Sequence, residues 1–229
     1  MSDIVVTMTS WKKRIDYVSI SILSLLKQTV KPRSIELNLS EEEFPNKEND
    51  LPQDLIELTK IYPININWVG ANVKSFKKLI PTLKKYWNEK DLYVFTADDD
   101  VVYEYTMLEK FLAISEKLSE ACICFGKFSG ALCDQPVVKG GATLYKVRFF
   151  TENVWTQLNE TIINTNEDDW WYAYNFLCTG KRSIVYTGDE LTFFNQIGGH
   201  RYNTNETHKM YLNMLRQPAV NVIKDKEKV

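Results

Sequence analysis

The feature that most constrains this chain is a continuous apolar run, Leu92-Tyr93-Val94-Phe95-Thr96, that meets three consecutive carboxylates, Asp98-Asp99-Asp100. A strand apolar on both faces belongs in the middle of a sheet covered by helices on each side. Three like charges at its end are unfavourable unless a cation or hydrogen-bond donors compensate them. The preceding chain fits such a sheet. Strands are expected at Ile4–Thr9, Ser34–Leu39 and Ile64–Val69. Helices are expected at Tyr17–Gln28, from Asp50-Leu51-Pro52 to Ile61, and over Ser75–Tyr86, the last interrupted or restarted at Pro81. Alternating strands and helices predict an α/β fold with an open, mostly parallel central sheet flanked by helices.

Ligands of such sheets lie beyond the carboxyl ends of the strands. The chain places Thr9-Ser10, Gly70-Ala71-Asn72 and Asp98-Asp99-Asp100 there. The second half is more mixed: a helix over Thr106–Leu118, a strand over Ala121–Phe125, and a loop with Gly126, Gly130, Gly140 and Gly141. A helix over Asp168–Cys178 and a strand over Ser183–Thr187 follow. No repeat or linker divides the chain, so one domain is expected over 1–229, with halves at 1–105 and 106–223 and a frayed charged tail at 224–229.

Charge narrows the function classes. The 28 basic and 30 acidic residues leave a net charge of −2, against a protein that coats nucleic acid. The four cysteines show no CxxC or Cys/His spacing, and Cys122 and Cys124 alternate as buried strand residues. The start has no signal-peptide pattern and no run is long enough to span a bilayer, so a cytoplasmic protein is expected.

A hard divalent ion, Mn2+ or Mg2+, is the natural compensator for the Asp triplet. Strand alternation would put Asp98 and Asp100 on one side and Asp99 on the other. The second acidic cluster, Glu167-Asp168-Asp169, opens a predicted helix, where acidic residues also serve as caps. Its neighbours Trp170 and Trp171 suggest a sugar-gripping surface, with carboxylates for hydroxyls and rings for stacking.

The order of elements, with the Asp triplet after the fourth strand, resembles the DXD-containing GT-A glycosyltransferases. More particularly, it resembles the bacterial family-two-like enzymes that build capsule and lipopolysaccharide glycans. The matching pieces run in order through most of the chain: Thr7 to Ile15, Leu25 to Thr29, Ser75 to Ile80, the Asp triplet, Gly140 to Tyr145, and Glu167 to Trp170. The resemblance implies a single GT-A (Rossmann-like) domain with a nucleotide-binding first half and an acceptor-side second half. It implies transfer from a nucleotide-diphosphate sugar donor to a glycan or lipid-linked acceptor, inverting, with peripheral contact at the inner membrane where lipid-linked acceptors sit. Thr9, Ser10 and Arg14 would line the base and ribose pocket, with Lys77 approaching the nucleotide. Asp98 and Asp100 would be the metal carboxylates, with Asp99 beside them in the donor site and His200 as an extra metal ligand. Gly140 and Gly141 would lie beside the donor sugar. Asp169, or else Asp168, would be the base that deprotonates the acceptor.

The chain departs from the family pattern after its second strand, where Leu39-Ser40-Glu41-Glu42 replaces an Asp-rich turn, so base identity stays open with Glu41 as a substitute. Two other readings compete. A sugar nucleotidyltransferase would need a glycine-rich basic loop after the first strand, which Thr9-Ser10-Trp11 lacks. A non-catalytic nucleotide- or glycan-binding module would have no need of two acidic clusters.

Overall fold

The computed structural model describes residues 3–125, 138, 141–180, 183–187, 192–193 and 221–223. The first four strands are β1 (Ile4–Thr9), β2 (Ser34–Ser40), β3 (Ile64–Val69) and β4 (Tyr93–Ala97). They alternate with helices α1 (Val18–Leu26), α2 (Gln53–Ile61) and α3 (Ile80–Lys85). The expected long helix before β4 is split. A 3-10 turn over Lys74–Lys78 precedes α3, whose first turn holds Pro81, where no amide donor is needed.

The second half adds β5 (Val101–Val102), α4 (Met107–Lys117), β6 (Ala121–Cys124) and β7 (Ala142–Lys146). Three helices follow, α5 (Asn153–Thr156), α6 (Glu160–Thr165) and α7 (Asp168–Leu177), then β8 (Ser183–Tyr186), β9 (Thr192–Phe193) and β10 (Asn221–Ile223). Eight of these strands form one sheet in the order β10-β8-β6-β7-β4-β1-β2-β3, and β5 pairs separately with β9. Neighbours in the large sheet are parallel except the two pairs made by β7. The expected α/β class and mostly parallel sheet are therefore found, with β7 as an antiparallel strand inserted beside β4.

The chain grows outward from β1 through β2 to β3, then returns to the other flank of β1 as β4. That reversal makes the gap between the carboxyl ends of β1 and β4 the topological switch point, where such sheets bind ligands. Helices cover both faces of the sheet. Ile4, Val6 and Met8 of β1 and Phe95 of β4 pack with α1, α2 and α4. Val5 and Val94 point the other way, into a cluster with α3 and the aromatic face of α7. β4 is thus buried on both faces, as its composition predicts.

The face under α3 also holds a polar network. Glu36 of β2 is fully buried and accepts hydrogen bonds from Lys85, Asn67, Asn65, Ser34 and Tyr86. Burial alone would raise its pKa, but these donors hold it down to about 2. A half-satisfied buried network would be costly, whereas this one ties α3 to the sheet at a fixed height.

Candidate active site

β4 ends at Ala97, and the three carboxylates occupy the turn that leads to β5. Strand alternation therefore stops before it can sort them, and the expected pairing of Asp98 with Asp100 against Asp99 is not what forms. Arg14, from the turn after β1, reaches both later residues: its Nη1 lies 3.2 Å from Asp99 Oδ1 and 2.5 Å from Asp100 Oδ2. Ser10 donates a 2.6 Å hydrogen bond to Asp99 Oδ2. The Arg14 turn is set by hydrogen bonds from the Arg14 and Ile15 amides to Trp11 O. Burial pushes the Asp99 carboxyl up to about 6, against the pull of Arg14 and Ser10. Burial likewise raises Asp100, again opposed by Arg14.

Asp98 pairs instead with Lys78, whose Nζ lies 2.6 Å from its Oδ1, and it stays near enough to Asp100 to help raise that carboxyl. The same ammonium stands 3.5 Å from Oδ2 of Asp168, at the start of α7. Lys78 therefore joins the two acidic clusters. Burial works against its charge, but Asp168, Asp98 and Asp169 together hold it protonated well above the usual lysine range. Two sets of contacts place it. Thr7 Oγ1 of β1 donates to Lys78 O, and the Asn38 side-chain amide donates to the same oxygen at 3.4 Å. Asn166, in the left-handed conformation at the end of α6, accepts from the Ser75 amide and, through its carbonyl, from the Ser75 hydroxyl. The 3-10 turn carrying Lys78 is thereby pinned to the loop that launches α7.

Tyr103 fixes the third side. Its buried hydroxyl donates to Gly141 O at 2.5 Å and accepts from the Asp98 amide at 2.7 Å. Gly141 has no room for a side chain: a Cβ there would lie 2.2 Å from Asp98 Oδ2. The glycine is needed for close approach of the carboxylate, since its φ lies outside the left-handed range.

The sequence-predicted residues divide accordingly. Ser10, Arg14, Asp98, Asp99, Asp100 and Gly141 converge at the switch point. Thr9 sits beside them but its hydroxyl donates to Asn38 O at 2.7 Å, within the sheet. Lys77 does not join the triplet; it turns to Asn72 Oδ1 at 2.5 Å and Glu43 Oε2 at 3.3 Å, and burial lowers its pKa. Glu41 pairs on the surface with Lys47 at 3.1 Å. Asp168 is buried with its carboxyl raised by desolvation, which Lys78 opposes, while Asp169 stays half-buried beside it. Trp170 and Trp171 are 4% and 1% exposed, so they are core residues and not a stacking surface for a sugar. The period of α7 turns both rings into the aromatic cluster, and the Trp171 indole donates to Val154 O. Gly140 and His200 lie outside the described residues. Sequence reasoning missed Lys78 and Tyr103. The doublet Lys77-Lys78 was visible, but only the tight 3-10 turn decides which ammonium faces the carboxylates.

Among the described residues no three carboxylate, imidazole or thiolate groups are arranged to hold a metal by themselves. Asp98 and Asp100 nevertheless suit a hard cation that draws the rest of its shell from phosphate oxygens and water. Four carboxylates, Asp98, Asp99, Asp100 and Asp168, face the two cations Arg14 and Lys78. That leaves an acidic excess which a divalent ion would balance.

No family model matches the chain, and no curated protein matches it. Among solved structures it is similar to a fragment of TarS from S. aureus, residues 1-349, in complex with UDP-GlcNAc. That match has a TM-score of 0.60 at 10% identity, covering 96% of this chain and 68% of that one. The same fragment in complex with UDP matches at TM-score 0.56 and 11% identity, covering 82% of this chain and 58% of that one. A longer TarS structure matches at TM-score 0.50 and 12% identity, and this chain spans only 36% of it. The chain thus covers less than two thirds of two of these three structures. The likeness is one of architecture: the chain shares with these structures an α/β fold with a mostly parallel mixed sheet.

Proposed function

We propose that the chain transfers a sugar from a nucleotide-diphosphate sugar to a glycan or lipid-linked acceptor. The observation that carries this reading is the meeting of both acidic clusters at Lys78, beyond the carboxyl ends of β1 and β4. Such a crevice suits a nucleotide, and its acidic excess leaves the positive charge for a diphosphate leaving group to a divalent ion. Asp98 and Asp100 would hold Mn2+ or Mg2+, which stabilises the departing diphosphate. TarS has been crystallised with UDP and with UDP-GlcNAc, so a uridine donor is the first to test.

Asp169 is the proposed base. It stands beside Asp168 at the head of α7 and is less buried, whereas the Asp168 carboxylate lies against Lys78 in the interior. The acceptor oxygen, losing its proton to Asp169, bonds to the anomeric carbon as the bond to the diphosphate breaks on the opposite face. Inversion of configuration follows from that single displacement. Among the described residues no helix is long and apolar enough to cross a membrane. Incubating the protein with a panel of nucleotide sugars and Mn2+, and following slow donor hydrolysis, tests the reading and names the donor. Absence of hydrolysis and of nucleotide binding across the panel would overturn it.

A further inference from the structure

Lys78 is placed between two carboxylates that it holds unequally. Its Nζ lies 2.6 Å from Asp98 Oδ1 but 3.5 Å from Asp168 Oδ2. That Asp168 oxygen is buried and has no donor within hydrogen-bond geometry, although Ser75 and Lys78 lie near enough to the carboxyl to favour its ionised form. A buried, ion-paired oxygen left without a donor is unusual and costly. It is also a ready acceptor, since a shift of the ammonium by about 1 Å would bring it to charge-assisted hydrogen-bond length.

The surroundings let the ammonium move and little else. The Lys78 carbonyl is held by Thr7 and Asn38, so motion is confined to the flexible four-carbon stem. Asp168 is fixed at the head of α7, and the junction before α7 is tied to Ser75. Asp98 by contrast keeps 29% of its side chain exposed, against 9% for both Lys78 and Asp168. Of the three side chains Asp98 is thus the one that an incoming cation can meet from solvent. Arg14 has no comparable alternative: it already bridges Asp99 and Asp100.

We propose that Lys78 is an exchangeable counter-ion, neutralising Asp98 in the free protein and passing to Asp168 when a divalent cation arrives with a nucleotide diphosphate. The inference rests on the donor-site reading above and adds an order of events to it. Among the described residues no three protein ligands are arranged to hold the cation, so with these residues alone it does not displace the ammonium. With diphosphate oxygens completing its shell, it can. Cation and nucleotide then bind together, and metal first is disfavoured.

The test measures Mn2+ binding to the full chain by the electron paramagnetic resonance signal of free Mn2+, with and without UDP. Wild type should bind Mn2+ alone weakly and much more tightly with UDP. Lys78→Met removes the competing charge and should bind Mn2+ alone at least about tenfold more tightly than wild type, because a cation within a few ångströms repels the metal by more than that factor. Lys78→Arg keeps the charge and should bind Mn2+ alone as weakly as wild type. Asp168→Asn removes the receiving charge and should weaken the Mn2+–UDP complex by roughly fivefold or more, since the displaced ammonium has no partner. Circular dichroism checks each fold; Lys78→Gln replaces a Met variant that does not fold, and the Asp168 arm needs neither. The proposal is overturned if neutral variants bind Mn2+ alone no more tightly than wild type, or if Asp168→Asn leaves the UDP complex unchanged. If UDP recruits no Mn2+ to wild type while neutral Lys78 variants still gain Mn2+, the counter-ion stands and the donor reading falls.

Discussion

Replacing Gly141 with Ala is the sharpest single perturbation of the site. The added Cβ would lie 2.2 Å from Asp98 Oδ2 and 2.9 Å from Asp98 Cγ. Relief requires the carboxylate to retreat by about 1 Å to reach ordinary contact distance. The backbone cannot give way in its place. Gly141 O and the Asp98 amide are both tied to the Tyr103 hydroxyl, and Ala97 pairs with Ala142 in the sheet. Gly141 has no left-handed φ, so alanine brings no backbone strain and the effect runs through Asp98. Retreat weakens the contact to Lys78, but the Asp98 side chain is 29% exposed, so screening limits the stability loss to about 1 kcal/mol. In a chain of this size that lowers Tm by only about 2–4 °C. The functional loss should be larger, because misplacing a reacting or binding group by about 1 Å can cost a factor of about a hundred in turnover. Calorimetric UDP binding with Mn2+, donor turnover and thermal melting measured together separate the two effects. A folded Gly141→Ala protein with wild-type UDP affinity and turnover would refute the placement of Asp98 in the donor site.

Other expected outcomes follow from the same geometry. Asp100→Ala should abolish Mn2+-dependent UDP binding while leaving the fold intact, since it removes like-charge repulsion together with a ligand; unchanged Mn2+ dependence in calorimetry would contradict this. Asp169→Asn should lower kcat at least about a hundredfold, with UDP affinity little changed; if Asp168→Asn has that effect instead, the base is Asp168. Asp99 has a folded pKa of about 6, above its unfolded value of about 3.9, so the folded state binds the proton more tightly. The Asp99 contribution to stability should therefore fall as pH rises from about 4 to 6 and level off above, by at most about 3 kcal/mol. Urea unfolding of wild type and Asp99→Asn across that window should show it as the difference between the two slopes, since other shifted carboxylates contribute equally to both.

How much of this was legible in the sequence depended on whether local pattern or tertiary placement decided each element. Leu92 to Thr96 and Ile64 to Val69 carry their own strand signal, and β4 and β3 form where the pattern puts them. The strand ends follow from the alternation of strands and helices, which brings Thr9-Ser10 and the Asp triplet together, whereas Arg14 rests on the family resemblance. β7 was hidden because its pairing is non-local: Ala142–Lys146 follows a glycine-rich stretch and becomes a strand by pairing with β4 and β6. Trp170 and Trp171 were assigned to the site on chemistry alone, but apolar burial takes both rings into the core. Choosing between Lys77 and Lys78 required the 3-10 turn that Thr7, Asn38 and Asn166 impose from three distant segments.

The most direct test of the account is calorimetric titration of UDP into the protein with Mn2+ and again with the metal chelated, followed by hydrolysis of the matching UDP-sugars. The account predicts binding that depends on Mn2+, is lost in Asp100→Ala, and is accompanied by slow hydrolysis of at least one donor. Equal UDP affinity in wild type and Asp100→Ala, or no binding by any nucleotide diphosphate in the presence of Mn2+, would contradict it.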